Sequence, residues 1–168
     1  MAGSSLNLRQ EWTAKRLSAL FQGENPLIYC RDINGIRFLV LDNSVYEILP
    51  EQLTLFQQLL RTSLPVMLVM HIPMYVPGRP VNFGCGHPGW GAHSDAIYKI
   101  ERREPWRETG HTPETMKFHE LVFKAPNLLG ILAGHIHTQS LDFMNGIPQF
   151  VAAANANGAC LDLSFEAV

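Results

Sequence analysis

The sequence lacks the long hydrophobic run, of about 18 residues or more, that a membrane-spanning helix requires. It also carries little charge, because 17% of its residues are charged and 13 basic side chains nearly balance 15 acidic ones. Without a basic surplus, we expect no nucleic-acid-binding surface. The three cysteines, which are odd in number and far apart, argue against a disulfide framework and a zinc knuckle: Cys30, Cys85 and Cys160. These features predict a cytoplasmic protein that does not bind membranes.

Enough apolar side chains are present for a folded core. Hydrophobic residues make up 46% of the 168 residues, and no internal repeat divides the chain, so we expect one domain over 1–168. An Asn34-Gly35 pair between two apolar runs predicts a β-hairpin, and apolar residues at helical spacing after Pro50 predict a helix. An Asn145-Gly146 pair predicts a second turn, and Thr112 is the expected cap of the helix over 113–124. We expect helices over 8–21, 49–60 and 113–124. We expect strands over 27–30, 36–41, 66–70, 129–133, 140–144, 147–152 and 159–165.

The order of these segments predicts an α/β fold with mixed sheets that ends in an antiparallel meander. Residues 75–112 interrupt this order, because they are rich in glycine and proline and too long for a simple connection, which predicts an insert or lid. Within it, Arg79, Arg102 and Arg107 are candidates for binding a phosphate through paired N–H donors. The alternative is that these arginines are solvated surface residues, since arginine and glutamate alternate over 101–108.

Histidine is the unusual residue of this chain, with seven copies. His71 follows one predicted buried strand, and His135 and His137 follow another. Because ligands collect beyond the carboxyl ends of parallel strands, these three imidazoles are expected to converge on a divalent metal ion. A single histidine at a strand end is more often a hydrogen-bonding cap. The metal interpretation therefore depends on the two motifs occurring together.

Two motifs carry a resemblance to a known family. Met70-His71-Ile72-Pro73 and the Gly-His-Ile-His run at 134–137 resemble the last two metal-binding motifs of the calcineurin-like metallophosphoesterases. The run at 38–44 and the Leu-Pro-Glu-Gln-Leu run at 49–53 are similar to the strand and helix start that precede them. The order and spacing agree from about residue 25 to about residue 165.

The resemblance implies an α/β sandwich with mixed sheets and a two-metal centre at the sheet ends. It implies hydrolysis of a small-molecule phosphate mono- or diester by metal-bound hydroxide. His71 and His135 would bind one divalent ion and His137 the other, with manganese, iron and zinc as candidates. A single zinc held by all three histidines is the chemical alternative.

The earlier motifs of that family are missing. The sequence contains no Asp-x-His, no Gly-Asp and no Asn-His, so the bridging carboxylate, the asparagine ligand and the leaving-group acid have no counterpart. The chain is therefore expected to correspond to the C-terminal part of such a domain: a phosphoric ester hydrolase whose two-metal centre is incomplete in this chain, so that activity of the chain alone is not assumed. A separate chain that supplies the first motifs is one alternative. A non-catalytic module that binds a metal or a partner is another.

Asp42, which follows the predicted strand 36–41, has two interpretations. Its carboxylate is a candidate to orient a metal-binding histidine. It is equally a candidate to cap the turn through Asn43 and Ser44.

Overall fold

The computed structural model describes residues 10, 25–78 and 111–166. The predicted helix over 8–21 lies outside these residues except for Gln10, and so do residues 79–110 of the insert, with Arg79, Arg102 and Arg107. No helix in the described part of the chain has the length and apolar character needed to cross a membrane.

Six strands form one mixed sheet in the order β1-β2-β3-β4-β6-β5. The outer pairs, β1–β2 and β5–β6, are antiparallel, whereas β2, β3, β4 and β6 run parallel to one another. The strands are β1 (Ile28–Ile33), β2 (Ile36–Leu41), β3 (Val66–Met70), β4 (Leu128–Ala133), β5 (Ser140–Met144) and β6 (Ile147–Val151). The prediction of an α/β fold with a mixed sheet is confirmed.

Two helices, α1 (Pro50–Leu59) and α2 (Pro113–Val122), pack on one face of the sheet. Phe56 of α1 and Phe118 of α2 meet edge to face, with ring centroids 4.7 Å apart, above buried side chains of the central strands. The Thr112 hydroxyl accepts the N–H of Thr115 at 3.2 Å, which confirms the predicted cap of α2. Both helices begin with proline, which needs no hydrogen-bond acceptor there.

The two turns of the outer hairpins follow from their Asn-Gly pairs. Asn34 and Gly35 have φ values of 48° and 83°, and Asn145 and Gly146 have 53° and 81°. This left-handed backbone is what a two-residue hairpin turn requires, and asparagine and glycine adopt it most readily. The predicted hairpin over 27–41 is confirmed.

The helical crossovers determine where the functional residues lie. Each helix connects two parallel strands, α1 between β2 and β3 and α2 between β3 and β4. The carboxyl ends of these three strands therefore share one edge of the sheet, and the loops that begin at residues 42, 71 and 134 meet there.

The predicted strand over 159–165 is wrong. These residues form no strand, and the Phe165 ring packs edge to face on Phe38 with centroids 6.0 Å apart, on the sheet face opposite the helices. A meander needs a free edge on β6, but β6 is already paired with β4 on one side and β5 on the other. The C-terminal residues therefore cross the sheet instead of extending it.

Candidate functional site

The candidate site lies at the carboxyl ends of the neighbouring strands β3 and β4. His71 directly follows β3, and His135 lies two residues beyond β4. The Gly134 N–H donates to the His71 carbonyl at 3.0 Å, so the parallel pairing of the strands continues into the two loops. The backbone thereby brings both histidines to one position, as the sequence predicted for them.

The two imidazole rings are in direct contact. His71 Nε2 lies 3.0 Å from His135 Nδ1, and the rings meet edge to face with centroids 4.8 Å apart and planes at 77°. His135 is buried, with 7% of its surface exposed, whereas His71 is exposed. At this distance the two nitrogens share a hydrogen bond, so one carries the proton and the other presents its lone pair.

Tyr46 contacts the other nitrogen of the buried histidine. Its hydroxyl lies 3.2 Å from His135 Nε2, and the two rings meet with centroids 5.6 Å apart. Both ring nitrogens of His135 therefore have a polar neighbour, Tyr46 on one side and His71 on the other. No sequence pattern indicated Tyr46, which lies in the loop between β2 and α1.

Unusual backbone conformations occur in the loops that follow β2 and β4. Five described residues other than glycine have positive φ, and two of them, Asn34 and Asn145, form hairpin turns. The other three are Tyr46, His135 and His137, with φ values of 62°, 71° and 57°. Residues with a bulky side chain rarely adopt this conformation, and such strain is characteristic of functional sites.

Asn43 holds the loop that carries His71. Its side chain is fully buried, accepting the Ile72 N–H at 3.0 Å and donating to the Ile72 carbonyl at 2.7 Å. The amide thus pairs with both backbone groups of the residue that follows His71. Asn43 lies just beyond β2, at the same sheet edge as the histidines.

Glu47 attaches the loop between β2 and α1 to the start of α2. Its carboxylate accepts the N–H and the hydroxyl of Thr112, each at 3.1 Å, and the hydroxyl of Thr115, and it pairs with His111 Nδ1 at 3.1 Å. Burial by itself would raise the pKa of Glu47. This pKa nevertheless lies below its ordinary value, because burial is outweighed by the hydrogen bonds from His111 and Thr115, by the charge of His111 and by the Thr112 N–H.

The other predicted site residues are not part of this cluster. His137 is exposed, and within residues 25–78 and 111–166 no group of three or more His, Cys, Asp or Glu side chains is placed to hold a metal ion. Asp42 accepts the Ser44 N–H at 2.9 Å, as expected of a turn-capping carboxylate. The three arginines lie outside the described residues.

The His71–His135 pair fits two ligands of a metal centre. Nitrogen ligands bind zinc at about 2.0–2.1 Å, so two nitrogens on one ion lie no more than about 4.2 Å apart. The observed separation of 3.0 Å meets this condition. Two imidazoles carry no negative charge and do not complete a coordination sphere. Among the described residues, this position therefore offers two nitrogen ligands and no third His, Cys, Asp or Glu.

Comparison with models of known protein families gives no match, and comparison with curated proteins gives none either. The arrangement of side chains beyond β3 and β4 is therefore what supports a function.

Proposed function

We propose that this chain is part of a metal-dependent hydrolase of phosphate mono- or diesters, of the calcineurin-like metallophosphoesterase type. The observation that carries the proposal is the 3.0 Å contact between His71 and His135 at the ends of adjacent parallel strands. These are two of the three histidines in the motifs that resemble that family.

The two histidines have different surroundings and therefore different roles. His71 is exposed, so a small phosphate ester can approach the centre from its side. His135 is buried and held between two polar neighbours, so it fixes the inner side of the centre. A bound manganese, iron or zinc ion supplies Lewis acidity to a phosphoryl oxygen and to a water molecule.

The proposed centre needs more ligands than the described residues provide. The family type assigns His137 to a second ion, and His137 follows the same strand with the same left-handed backbone as His135. The carboxylate and amide ligands would come from a separate polypeptide layer. In the proposed sandwich, that layer covers the sheet face opposite the helices.

Hydrolysis of p-nitrophenyl phosphate and its bis-ester, with Mn²⁺ added, tests this function. With the layer that completes the centre present, the proposal expects turnover above a metal-only blank that is abolished in His135→Ala and retained in His119→Gln. His119 is a suitable control because it lies in α2 and contacts the Tyr75 carbonyl. Turnover that survives His135→Ala would contradict the proposal.

A different observation favours a second function, that of a non-catalytic module that binds a partner polypeptide. All large hydrophobic side chains that are prominently exposed in the described part of the chain belong to the face opposite the helices or to the segment crossing it. Their exposed fractions lie between 42% and 62%: Ile33, Leu129, Leu141, Phe143 and Phe165. Six strands of about five residues give the whole face roughly 500 Å², and apolar patches of about 300–600 Å² on monomers are often functional.

The described chain covers this face only in part. A cavity of about 580 Å³ lies between the face and residues 163–166, with Met67, Phe150 and Leu163 in its lining. The proposed occupant is a polypeptide layer that presents its own apolar side chains to this face.

A further inference from the structure

Two fully buried side-chain amides hold the segment that follows His71. One belongs to Asn43, which pairs with both backbone groups of Ile72. The other belongs to Gln149 of β6, which pairs with Met74 in the same way. Its Oε1 accepts the Met74 N–H at 2.7 Å, and its Nε2 donates to the Met74 carbonyl at 3.0 Å. Alternate residues of the segment are therefore fixed by amides from two different strand regions.

The rest of this segment is restrained as well. Pro73, between the two fixed residues, has no N–H, and its ring fixes φ. The side chains of Ile72 and Met74 are buried in the core. Toward β3, the His71 carbonyl accepts the Gly134 N–H at 3.0 Å. The backbone is thus held along its length from His71 to Met74.

We propose that Gln149 is a positioning residue that keeps the imidazole of His71 beside that of His135. The inference rests on the proposed metal-binding role of the two histidines. Because His71 is exposed, the position of its ring depends on the backbone that carries it. Metal ligands keep a precise geometry only when the groups behind them are themselves held. Gln149 provides this hold from β6, the strand that flanks β4 on the side away from β3.

The hydrogen bonds of Gln149 act at one residue only. Burial of an amide is unfavourable unless its polar atoms are hydrogen-bonded. Both polar atoms of this side chain bond to the backbone of Met74, the oxygen as acceptor and the nitrogen as donor. The amide takes the place that a paired strand would have beside Met74. Its hydrogen bonds therefore fix the segment that follows His71 and do not join the strands of the sheet.

Nitrogen-15 relaxation of the backbone amides in the metal-free full-length chain measures this hold directly. In the wild type, the order parameters of the His71 and Ile72 amides should be near 0.85, the value typical of rigid backbone. Gln149→Met replaces the amide by an apolar side chain of similar size and should lower both values toward about 0.6. Order parameters at His71 and Ile72 that are the same in Gln149→Met and wild type overturn the proposal.

Asn127→Leu is the matched control. The Asn127 amide also braces backbone carbonyls, but at the opposite edge of the sheet, where its three acceptors lie before β3: Leu60, Thr62 and Leu64. This variant should leave the order parameters at His71 unchanged. Gln149→Asn, which keeps an amide on a shorter side chain, should give a smaller decrease than Gln149→Met. It tests the same contact with less disturbance of the core.

Zinc titration supplies the second measurement and separates positioning from a general loss of stability. Groups that support metal ligands typically change metal affinity by roughly 10–100-fold, and we expect a loss of about tenfold in Gln149→Met. Asn127→Leu should bind zinc as the wild type does. Equal affinity in Gln149→Met and wild type, or an equal loss in both variants, would contradict the role of Gln149. A wild type that binds no zinc would instead contradict the proposed function, and the order parameters would still decide whether Gln149 holds His71.

Discussion

His71 Nε2 and His135 Nδ1 lie 3.0 Å apart although 64 positions separate the two residues in the chain. Parallel pairing of β3 with β4 produces this contact, because both histidines leave the sheet at the same edge. The exposed ring and the buried ring form one hydrogen-bonded unit, which Tyr46 extends on its buried side. The stability and chemistry of this unit depend on the loops that hold it.

Asn43 should contribute strongly to stability. Asn43→Ala removes two buried hydrogen bonds and leaves the Ile72 N–H and carbonyl unpaired, which we expect to lower the free energy of unfolding by roughly 2–4 kcal/mol. Urea denaturation measures this change. Thr54→Ala, which removes an exposed hydrogen bond to the Pro50 carbonyl, should cost less than about 1 kcal/mol. Equal losses in the two variants would show that Asn43 does not brace the loop.

The Glu47 carboxylate should make stability depend on pH in acid. Because its pKa is lower in the folded chain than in the unfolded chain, its contribution is present above about pH 4.3 and is lost as pH falls through the folded value. Glu47→Gln replaces charged hydrogen bonds by neutral ones and should lower the free energy of unfolding by about 1–2 kcal/mol at neutral pH. The difference from wild type should shrink toward pH 3.

Glu120→Gln is the control for this pH dependence. Hydrogen bonds from Lys124 and Lys117 lower the pKa of Glu120 to about 2, but its pairs lie on the exposed surface of α2. Salt screens such pairs, so its effect on stability should be small and should fall as salt is added. A Glu47→Gln chain whose stability follows that of the wild type at every pH would disprove the anchoring role of Glu47.

Gly130 should be intolerant of a side chain because of the close approach of β6. A Cβ at this position would lie 3.0 Å from the Pro148 carbonyl oxygen and 3.2 Å from its ring. Gly130→Ala therefore requires β6 to move, which we expect to cost roughly 1–3 kcal/mol in thermal or urea unfolding. Gly134→Ala is the matched control, since nothing lies within 4 Å of its Cβ position. A smaller loss at Gly130 than at Gly134 would be inconsistent with the β4–β6 pairing.

The sheet face opposite the helices should bind apolar surfaces. We expect the wild type to bind a hydrophobic fluorescent dye or to show a molar mass that rises with concentration in light scattering. Phe143→Thr and Leu141→Thr should reduce both signals, because these β5 residues are among the most exposed apolar side chains. Lys117→Thr on α2 should change neither. A monomer that binds no dye would rule out the partner-binding function.

Local patterns predicted most of the fold. The Asn-Gly turns, the Thr112 cap and the apolar runs of β3 and β4 depend on neighbours in sequence, and each was located correctly. The strand over 159–165 was wrong because its pairing depends on whether β6 has a free edge, which is a property of the whole sheet. Residue alternation alone does not contain that information.

The site was predictable only where strand ends determined it. His71 and His135 follow buried strands, and the same rule applied to β2 would have indicated Asn43. Tyr46 and Glu47 lie in mid-loop, and their roles come from a left-handed backbone and from long-range contacts to His135 and α2. No sequence pattern marks such positions. Whether His137 joins a metal centre stays a prediction.

Zinc or cobalt titration of the full-length chain tests the central claim most directly, by calorimetry or by the visible absorption of bound cobalt. We expect wild type to bind one ion with His71 and His135 as ligands, and His71→Ala or His135→Ala to lose that binding. His119→Gln, which removes a histidine of α2, should bind as the wild type does. Binding that persists in His135→Ala, or a wild type that binds neither ion, would contradict the account.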